Sequence, residues 1–357
     1  MLEFKNVRNM FDISNISKYK VELMGLSAIL IFVGHCASVG ILPGGGNNEK
    51  ILKILSILGG SISVDIFCLL SGVGVVYSLK KNTNIEFIIK RITRVYVPYF
   101  FIALIADLFI NYENFLIYLL KLSTIYFWIF GNDGTWFVSF ILLMYGVALT
   151  LKPLYKNRSF KITCICSSIL LILSWFLLAF LNYYQENLME RLGIALNRVP
   201  IFFIGIIIGQ CCIRKVKINN ICIIFLIIGT MLKSLTNSVG IIGTILSECR
   251  SLFFVVLEIL FFIAVGKIAK KGKILGKLSS LGHRCILYFG KISLEIYLIH
   301  IFILNWIKSK PYVLDKMNGN FFAFIIYALC TIVLSTIISK IVKYCNLQGA
   351  ILKANKG

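Results

Sequence analysis

Long apolar runs, separated by short polar and basic segments, recur along the whole chain. A run of about 17–25 apolar residues is the length that crosses the hydrocarbon core of a bilayer as an α-helix. The pattern therefore predicts an all-α, polytopic membrane helix bundle of about ten transmembrane helices. The predicted spans lie near residues 21–41, 54–79, 95–111, 135–151, 161–182, 198–213, 218–236, 241–266, 286–307 and 320–344.

Two segments do not fit this alternation of spans and loops. The apolar stretch 114–130 is short and is interrupted by Lys121. It is compatible with a span, with a re-entrant segment or with a helix that lies on the membrane interface. The basic segment 267–284 is predicted to be a linker on the inner membrane surface.

The distribution of basic residues predicts the orientation. With ten spans and the N-terminus inside, the inner segments hold 27 of the 37 Lys and Arg residues, and cytoplasmic loops carry such an excess. Counting 114–130 as a full span would move the basic clusters 152–161 and 214–217 outside, so we expect this stretch to stay on the outer side as a re-entrant or interfacial piece. Both termini, with residues 1–20 and the tail 345–357, are then predicted to be cytoplasmic. The outer connections include 41–53 and 183–197.

The composition excludes a soluble enzyme. Hydrophobic residues make up 59% of the 357 residues and charged residues only 15%, whereas a soluble domain carries about 25% charged residues. A net charge of +22 would suggest nucleic acid as the partner of a soluble domain. Here the basic residues cluster between apolar runs, so we expect membrane lipids and no nucleic acid as partners. We predict a single integral membrane domain over residues 1–357, located in the plasma membrane.

Neither the N-terminal run nor the cysteines change this prediction. The apolar run 23–39 is long enough to span a bilayer and no small-residue cleavage site follows it, so we interpret it as an uncleaved first span. The eleven cysteines lie mostly within or beside apolar runs, as Cys68 and Cys222 do, without the spacing of a zinc site. We therefore expect neither a metal nor a disulfide framework.

Ionisable side chains inside the predicted spans are the first candidates for chemistry, because such groups are costly in a bilayer. Of the three histidines, His35 and His300 lie in spans, both in the outer half of the bilayer, and Asp65 lies near the middle of the second span. A neutral histidine in a polar site can act as a general base. The alternative is a structural histidine that hydrogen-bonds between helices, and Asp65 could likewise be catalytic or pair with a neighbouring helix. His300 is also a candidate for lining a substrate cavity.

Other charged and aromatic residues have two interpretations each. Lys90, Arg91 and Arg94 follow the second span at the predicted inner surface. The two arginines would share a face of a helix and could hold a phosphorylated ligand, or the cluster could be an ordinary cytoplasmic anchor. Trp136 and Arg198 lie near outer span ends, where a tryptophan is typical of the interfacial belt but also forms an apolar platform for sugars. A further set of charges in the eighth span, expected to neutralise one another or groups on other helices, is Glu248, Arg250 and Glu258.

Six stretches, taken in order, resemble the acyltransferase 3 family of membrane acyltransferases, particularly the bacterial polysaccharide O-acetyltransferases. Each motif is weak alone, and the set of six, which covers nearly the whole chain, is fairly specific. They are VELMGLSAILIFVGH (21–35), GGSISVDIFCLLSGVGVVYSLKK (59–81), IIKRITRVYVPYF (88–100), GTWFVSFILLMYG (134–146), RVPIFFIGIIIG (198–209) and ISLEIYLIHIFIL (292–304).

The resemblance implies roles for particular residues. The essential histidine of the family corresponds to His35, and the basic pair associated with acyl-CoA corresponds to Arg91 and Arg94. The family often has a basic residue eleven positions before the histidine, where this chain has Met24. No hydrolase triad is visible, so we predict His35 as the general base, oriented by Asp65.

The resemblance also implies the reaction. We expect transfer of an acetyl group from cytoplasmic acetyl-CoA to a hydroxyl of a cell-surface or exported polysaccharide, with a glycan or lipid-linked glycan as acceptor. Direct transfer and an acyl-enzyme intermediate both remain open. The alternatives are a proton-coupled transporter or flippase for a polysaccharide precursor, and a non-catalytic partner of a glycan assembly complex. The absence of an evident internal repeat argues mildly against a transporter.

Overall fold

The computed structural model describes residues 11–42, 49–109, 114–131, 134–153, 159–217, 220–236, 240–269 and 274–354. Nearly all of these residues are helical and no β-strand lies among them, although an isolated bridge pairs Asp12 with Lys217. The predicted all-α class is therefore confirmed. Parts of the predicted cytoplasmic ends, residues 1–10 and 355–357, lie outside the described residues.

The helices are numbered along the chain. They are α1 (Ser14–Lys18), α2 (Lys20–Ser38), α3 (Glu49–Ile57), α4 (Val64–Lys81), α5 (Asn84–Arg91), α6 (Val97–Phe109), α7 (Phe115–Leu122), α8 (Tyr126–Phe130), α9 (Trp136–Thr150), α10 (Phe160–Tyr184), α11 (Glu186–Leu196), α12 (Val199–Ile213), α13 (Asn220–Leu235), α14 (Gly240–Ala269), α15 (Ile274–Lys291), α16 (Ser293–Lys308), α17 (Pro311–Met317) and α18 (Phe321–Ala354). Two π-helical turns, Leu58–Ser63 and Ile92–Tyr96, lead into α4 and α6.

Among the described residues, six helical segments are long and apolar enough to cross a membrane. They confirm a multi-pass membrane protein and correspond to six of the predicted spans. They are Lys20–Ser38, Lys50–Lys81, Phe160–Tyr184, Glu186–Ile213, Gly240–Ala269 and Phe321–Tyr344. The predicted spans near 95–111, 135–151 and 218–236 correspond to the shorter helices α6, α9 and α13, and the number of ten spans stays a prediction.

The polar and bent regions differ from the sequence predictions. The segment 267–284 was predicted to be a linker on the inner membrane surface. Its described part from Ile274 onward is helical and begins α15, and its place at the membrane surface stays a prediction. Apolar residues at helical spacing, such as Leu278 and Leu281, suit a helix despite the basic residues between them. The predicted span 286–307 is bent by 74° between α15 and α16, and most of the predicted outer connection 183–197 forms α11.

The stretch 114–130 does not form one continuous helix. It contains α7 and α8, which are separated by three residues. Thr124 in this break has a φ of 64°, in the left-handed region that a non-glycine residue seldom adopts. The break agrees with the prediction that this stretch is not a straight span.

The chain divides into two compact units, each built from three separate segments. Unit 1 comprises Met1–Ser27, Ser61–Asn82 and Gly146–Lys291. Unit 2 comprises Ala28–Gly60, Thr83–Tyr145 and Ile292–Gly357.

Unit 1 is organised by close contacts between α4 and α12. A Cβ added at Gly72 would lie 2.3 Å from the carbonyl oxygen of Phe202, and one added at Gly205 would lie 2.2 Å from that of Leu69. Small residues let transmembrane helices approach until their backbones touch. Helix α10 packs against α12, and α14 packs against α4, α10 and α13.

Unit 2 is organised around α16, which packs against α6 and α18. The C-terminal half of α2 joins this group through a core that contains Phe32, Cys36, Leu304 and Tyr327. This packing brings the sequence around residue 35 next to the middle of α16.

Replacing Gly205 by alanine should destabilise the protein, because the new Cβ would collide with the backbone of Leu69. Overpacking costs about 1–3 kcal/mol, so Gly205→Ala should lower the unfolding temperature in detergent, measured by intrinsic fluorescence. Gly146→Ala is the matched control, because a Cβ at Gly146 meets no atom within 4 Å and alanine favours a helix over glycine. Equal unfolding temperatures for the two variants would contradict the close approach of α4 and α12.

Candidate functional site

Two histidines that are far apart in sequence meet in unit 2. Nδ1 of His35, near the end of α2, lies 2.8 Å from Nε2 of His300 in α16. The two rings are nearly parallel, with centroids 5.1 Å apart and an interplanar angle of 25°. His300 is completely buried, whereas His35 is only partly buried. The pair therefore has a closed inner member and a more accessible outer member.

The hydrogen bonds indicate where the protons lie. Nδ1 of His300 is 2.8 Å from the carbonyl oxygen of Ile296, and a carbonyl can only accept, so this nitrogen carries a hydrogen. A second hydrogen on Nε2 would leave a charged imidazolium fully buried, which is costly. We therefore infer that Nε2 of His300 accepts and that Nδ1 of His35 donates. In a neutral His35, Nε2 then carries the lone pair and can accept a proton.

His300 is held from several sides. The hydroxyl of Tyr327 in α18 donates to the carbonyl oxygen of His300 at 2.8 Å. The rings of Phe32 and Tyr297 meet the imidazole edge-on, each with a centroid separation of 5.9 Å. The sequence analysis did not identify Tyr327 or Tyr297, and the only signal was a tyrosine within an apolar helix.

Trp136, predicted to bind substrate, is also a residue of unit 2. It is only 5% exposed and packs against Phe137 and Phe140. Just before it, Gly134 has a φ of 86°, and its carbonyl accepts a hydrogen bond from the hydroxyl of Tyr297 at 2.9 Å. The structure thus places Trp136 at the buried start of α9, beside a turn that is tied to the helix of His300.

The basic residues after the second predicted span have different environments. Lys90 and Arg94 are exposed, and Arg91 is partly buried. The guanidinium of Arg91 lies over the rings of Phe87 and Tyr145, at 5.3 and 4.7 Å from their centroids. Such cation–π contacts fix the orientation of the planar guanidinium.

The predicted shared helix face of the two arginines is modified by the π-helical turn. Arg91 ends α5, and Arg94 lies in the turn Ile92–Tyr96. In this wider helix three residues cover a smaller fraction of a turn than they do in an α-helix, so the two arginines lie further from a common face. Arg94 interacts electrostatically with Glu295 of α16, so the donor cluster and the helix of His300 belong to one unit and are electrostatically coupled.

In unit 1, Asp65 has two partners, Arg198 directly before α12 and Ser251 in α14. Nε of Arg198 lies 3.4 Å from Oδ1 of Asp65, and the hydroxyl of Ser251 donates to Oδ2 at 2.7 Å. Arg198 also donates to the carbonyl oxygen of Ile194. The pairing alternative for Asp65 is therefore observed. The described hydrogen-bond partner of His35 is His300, and a catalytic role for Asp65 stays a prediction.

Two charged residues of α14, Glu248 and Arg250, have hydrogen-bond partners outside their own helix. Nε1 of Trp175 lies 3.2 Å from both carboxylate oxygens of Glu248. Arg250 donates to the hydroxyl of Ser61 at 3.0 Å. Trp175 and Ser61 carry no charge, and a buried carboxylate oxygen of Glu258 has no hydrogen-bond partner among the described residues. The expectation that the charges of this helix neutralise one another, or groups on other helices, stays a prediction.

Asp65, Arg198 and Glu248 line a cavity of about 340 Å³ within unit 1. Its wall is mostly polar, although the helices around it are apolar. The full lining consists of Ser61, Asp65, Asn182, Asn197, Arg198, Ile201, Lys233, Gly240, Gly243, Thr244, Ser247 and Glu248. Sequence reasoning missed most of these residues, because single Asn, Ser and Thr residues in apolar helices carry no distinctive signal.

A histidine contacts α2 near its N-terminal end. Glu22, two residues before Met24 in α2, is buried, and its carboxylate lies 3.2 Å from Nε2 of His283 in α15. This contact is made by Glu22 and not by Met24, so what takes the place of the basic residue that the resemblance leads us to expect at Met24 stays open.

Comparison with known proteins identifies the family. A family model described as an acyltransferase domain, of the acyltransferase 3 type, matches residues 23–340. No curated protein and no solved structure gives a significant match. The match extends over most of the chain and includes the histidine pair, the basic cluster and the lining of the cavity. The chain therefore belongs to the acyltransferase 3 family of membrane acyltransferases.

Proposed function

We propose that this membrane acyltransferase moves an acetyl group from cytoplasmic acetyl-CoA to a hydroxyl of a cell-surface or exported polysaccharide, with His35 as the general base. The observation that carries this proposal is the hydrogen-bonded series from the carbonyl of Ile296 through His300 to His35. It leaves Nε2 of His35 with a lone pair on the accessible side of the pair.

The reaction needs one proton acceptor that later becomes a donor. The acceptor hydroxyl oxygen attacks the thioester carbon while its proton passes to Nε2 of His35. The tetrahedral intermediate then expels the CoA thiolate. The thiolate takes this proton from Nε2 of His35 and leaves as the thiol. While His35 is charged, its Nδ1–H donates to the neutral Nε2 of His300, which stabilises and orients the imidazolium. His300 thus takes the place of the third, orienting group of a nucleophile–base arrangement.

Acetyl-CoA requires cationic groups for its phosphates. Arg91 and Arg94, with Lys90 beside them, are the proposed contacts, because arginine binds phosphate oxygens with two parallel hydrogen bonds. The stacking of Arg91 on Phe87 and Tyr145 supports this role, since it orders the guanidinium before the ligand binds. Trp136 and Arg198 are proposed to contribute to the acceptor side. His300 was predicted to line the substrate cavity, but it is completely buried, so we propose that it acts only through His35.

The proposed topology has ten spans in the plasma membrane, with both termini cytoplasmic. It rests on the excess of Lys and Arg in the inner segments. It predicts that a cysteine at Lys215, between α12 and α13, is cytoplasmic and that a cysteine at Asp315, in α17, is outside. Both positions are exposed in the structure.

This topology can be measured by labelling single cysteines in a cysteine-free background with an impermeant maleimide. Asp315→Cys should react in intact cells, whereas Lys215→Cys should react only after permeabilisation. Reaction of Lys215→Cys in intact cells would contradict the proposed orientation.

Removing the proposed base should abolish acetylation without affecting membrane insertion. Loss of a general base typically reduces the rate by about 10²–10⁴-fold, so His35→Ala should leave the polysaccharide essentially unacetylated at matched protein levels. His300→Ala should be milder, because it removes only the orienting group. His283→Gln is the matched control, since His283 is the remaining histidine of the chain.

Acetyl content of the extracted polysaccharide is the readout. Acetylation at the wild-type level by His35→Ala would exclude the proposed base. A proton-coupled transporter would behave differently, because its histidine variants would lose polysaccharide export while the exported material kept its acetyl content.

Reversing the charge of the donor cluster should weaken acetyl-CoA binding. The double variant Arg91→Glu, Arg94→Glu should lose acetylation and bind acetyl-CoA at least tenfold more weakly, because each charged hydrogen bond contributes about 1.5–3 kcal/mol. Arg94→Gln removes the proposed contact with the CoA phosphates without placing a second carboxylate beside Glu295. Arg284→Glu on α15 changes the same charge at another exposed position and should bind acetyl-CoA normally. Unchanged binding by the double variant would remove the cluster from the donor site.

A further inference from the structure

We propose that the polar cavity of unit 1 binds one sugar unit of the acceptor, with Asp65 and Glu248 as hydrogen-bond acceptors for its hydroxyls. This inference rests on the proposed acyl transfer and names the residues that would hold the acceptor. The cavity of about 340 Å³ lies at the lower end of the usual size of small-molecule sites, which suits one unit of a longer chain.

The chemistry of the lining favours a polyhydroxylated ligand. Side-chain amides of Asn182 and Asn197 supply both donors and acceptors, and the hydroxyls of Thr244 and Ser247 add further acceptors. Asn182, Thr244 and Ser247 already donate to backbone carbonyl oxygens of their own helices. Their oxygen atoms still have acceptor positions, which a lipid tail could not use and which hydroxyl groups can. A sugar unit offers hydroxyls that can donate to and accept from the same wall.

The charges argue against a phosphate or CoA site in this cavity. Two carboxylates, Asp65 and Glu248, face the same space as two cations, Arg198 and Lys233. The Asp65 carboxylate, which is already paired with Arg198, would compete with a phosphate for this cation and would repel the ligand. A ligand without net charge avoids this repulsion and uses both signs of charge for hydrogen bonds.

The carboxyl groups of Asp65 and Glu248 are held in place by their partners and can accept further hydrogen bonds. An ionised carboxylate offers about four acceptor positions. Asp65 uses positions for Ser251 and Arg198, and Glu248 accepts from Trp175. These partners hold the oxygens in place from behind, so that their remaining lone pairs can meet hydroxyls in the cavity.

The first test is a binding measurement that does not depend on catalysis. The probe is deacetylated polysaccharide extracted from cells that lack the protein, added to the purified full-length protein in detergent. Because Trp175 is bonded to Glu248 at the cavity wall, binding should change the tryptophan emission. The change should be lost in Trp175→Phe. A response to inorganic phosphate without one to the polysaccharide would overturn the assignment.

The second test measures how cavity variants change the KM for the acceptor and the KM for the donor. Ser247→Phe fills the cavity and Glu248→Gln keeps its shape while removing charge, so we expect each to raise the KM for the polysaccharide by about tenfold to a hundredfold. The KM for acetyl-CoA should change less than twofold. Ser234→Phe is the matched control, because this exposed residue of α13 lies outside the cavity lining.

The outcomes distinguish this inference from the proposed function. Unchanged acceptor KM in both folded cavity variants would overturn the sugar site, even if His35→Ala abolishes transfer. If the wild type binds the polysaccharide through Trp175 but transfers no acetyl group, the proposed function fails and the sugar site is supported.

Discussion

A polar side chain inside an apolar helix bundle must find its partner within the protein, because the hydrocarbon core of the membrane offers none. This constraint explains why the polar residues of the chain occur as connected groups. His35 and His300 are bonded to each other and to the carbonyl of Ile296. In unit 1 the carboxylate of Asp65 is satisfied by Arg198, directly before α12, and by Ser251 in α14. The hydrogen bonds that stabilise these groups also orient them for binding or proton transfer.

Close helix packing is what allows such short contacts to form. The backbones of α4 and α12 approach each other closely at Gly72 and Gly205, and Arg198, directly before α12, lies 3.4 Å from Asp65 of α4. In unit 2, Phe32 and Tyr327 pack with their ring centroids 4.9 Å apart, which brings α2 and α18 together next to His300. Packing and polar pairing therefore depend on each other in both units.

The sequence was sufficient for features that depend on local composition. Spans such as 21–41 and 161–182 were predicted within a few residues, because length and hydropathy determine them. The helix Ile274–Lys291 was missed, since its lysines and glycines resemble those of a loop. The π-helical turn at Ile92–Tyr96, which alters the relation of Arg91 to Arg94, has no recognisable signal in a single sequence.

Contacts between distant helices were beyond such reasoning. His35 and His300 were each identified because a histidine is rare in a span, but their 2.8 Å contact depends on how two helices are rotated about their axes. For the same reason, Asp65 was recognised while Ser251 and the partner of Glu248, Trp175, were not. Hydropathy identifies which residues are buried in a membrane, and packing decides which of them meet.

The choice of a histidine as the orienting group follows from the apolar surroundings. In soluble hydrolases a carboxylate commonly orients the catalytic histidine, but a carboxylate needs a counter-charge when it is buried. His300 is completely buried and orients His35 as a neutral acceptor, with its own second nitrogen bonded to a backbone carbonyl. The resting pair then carries no net charge, and the charge appears only while His35 holds the proton of the acceptor hydroxyl. Asp65, in contrast, is accompanied by Arg198, which is the arrangement that a buried carboxylate requires. The two polar centres thus satisfy the same constraint in different ways, one by remaining neutral and the other by pairing opposite charges.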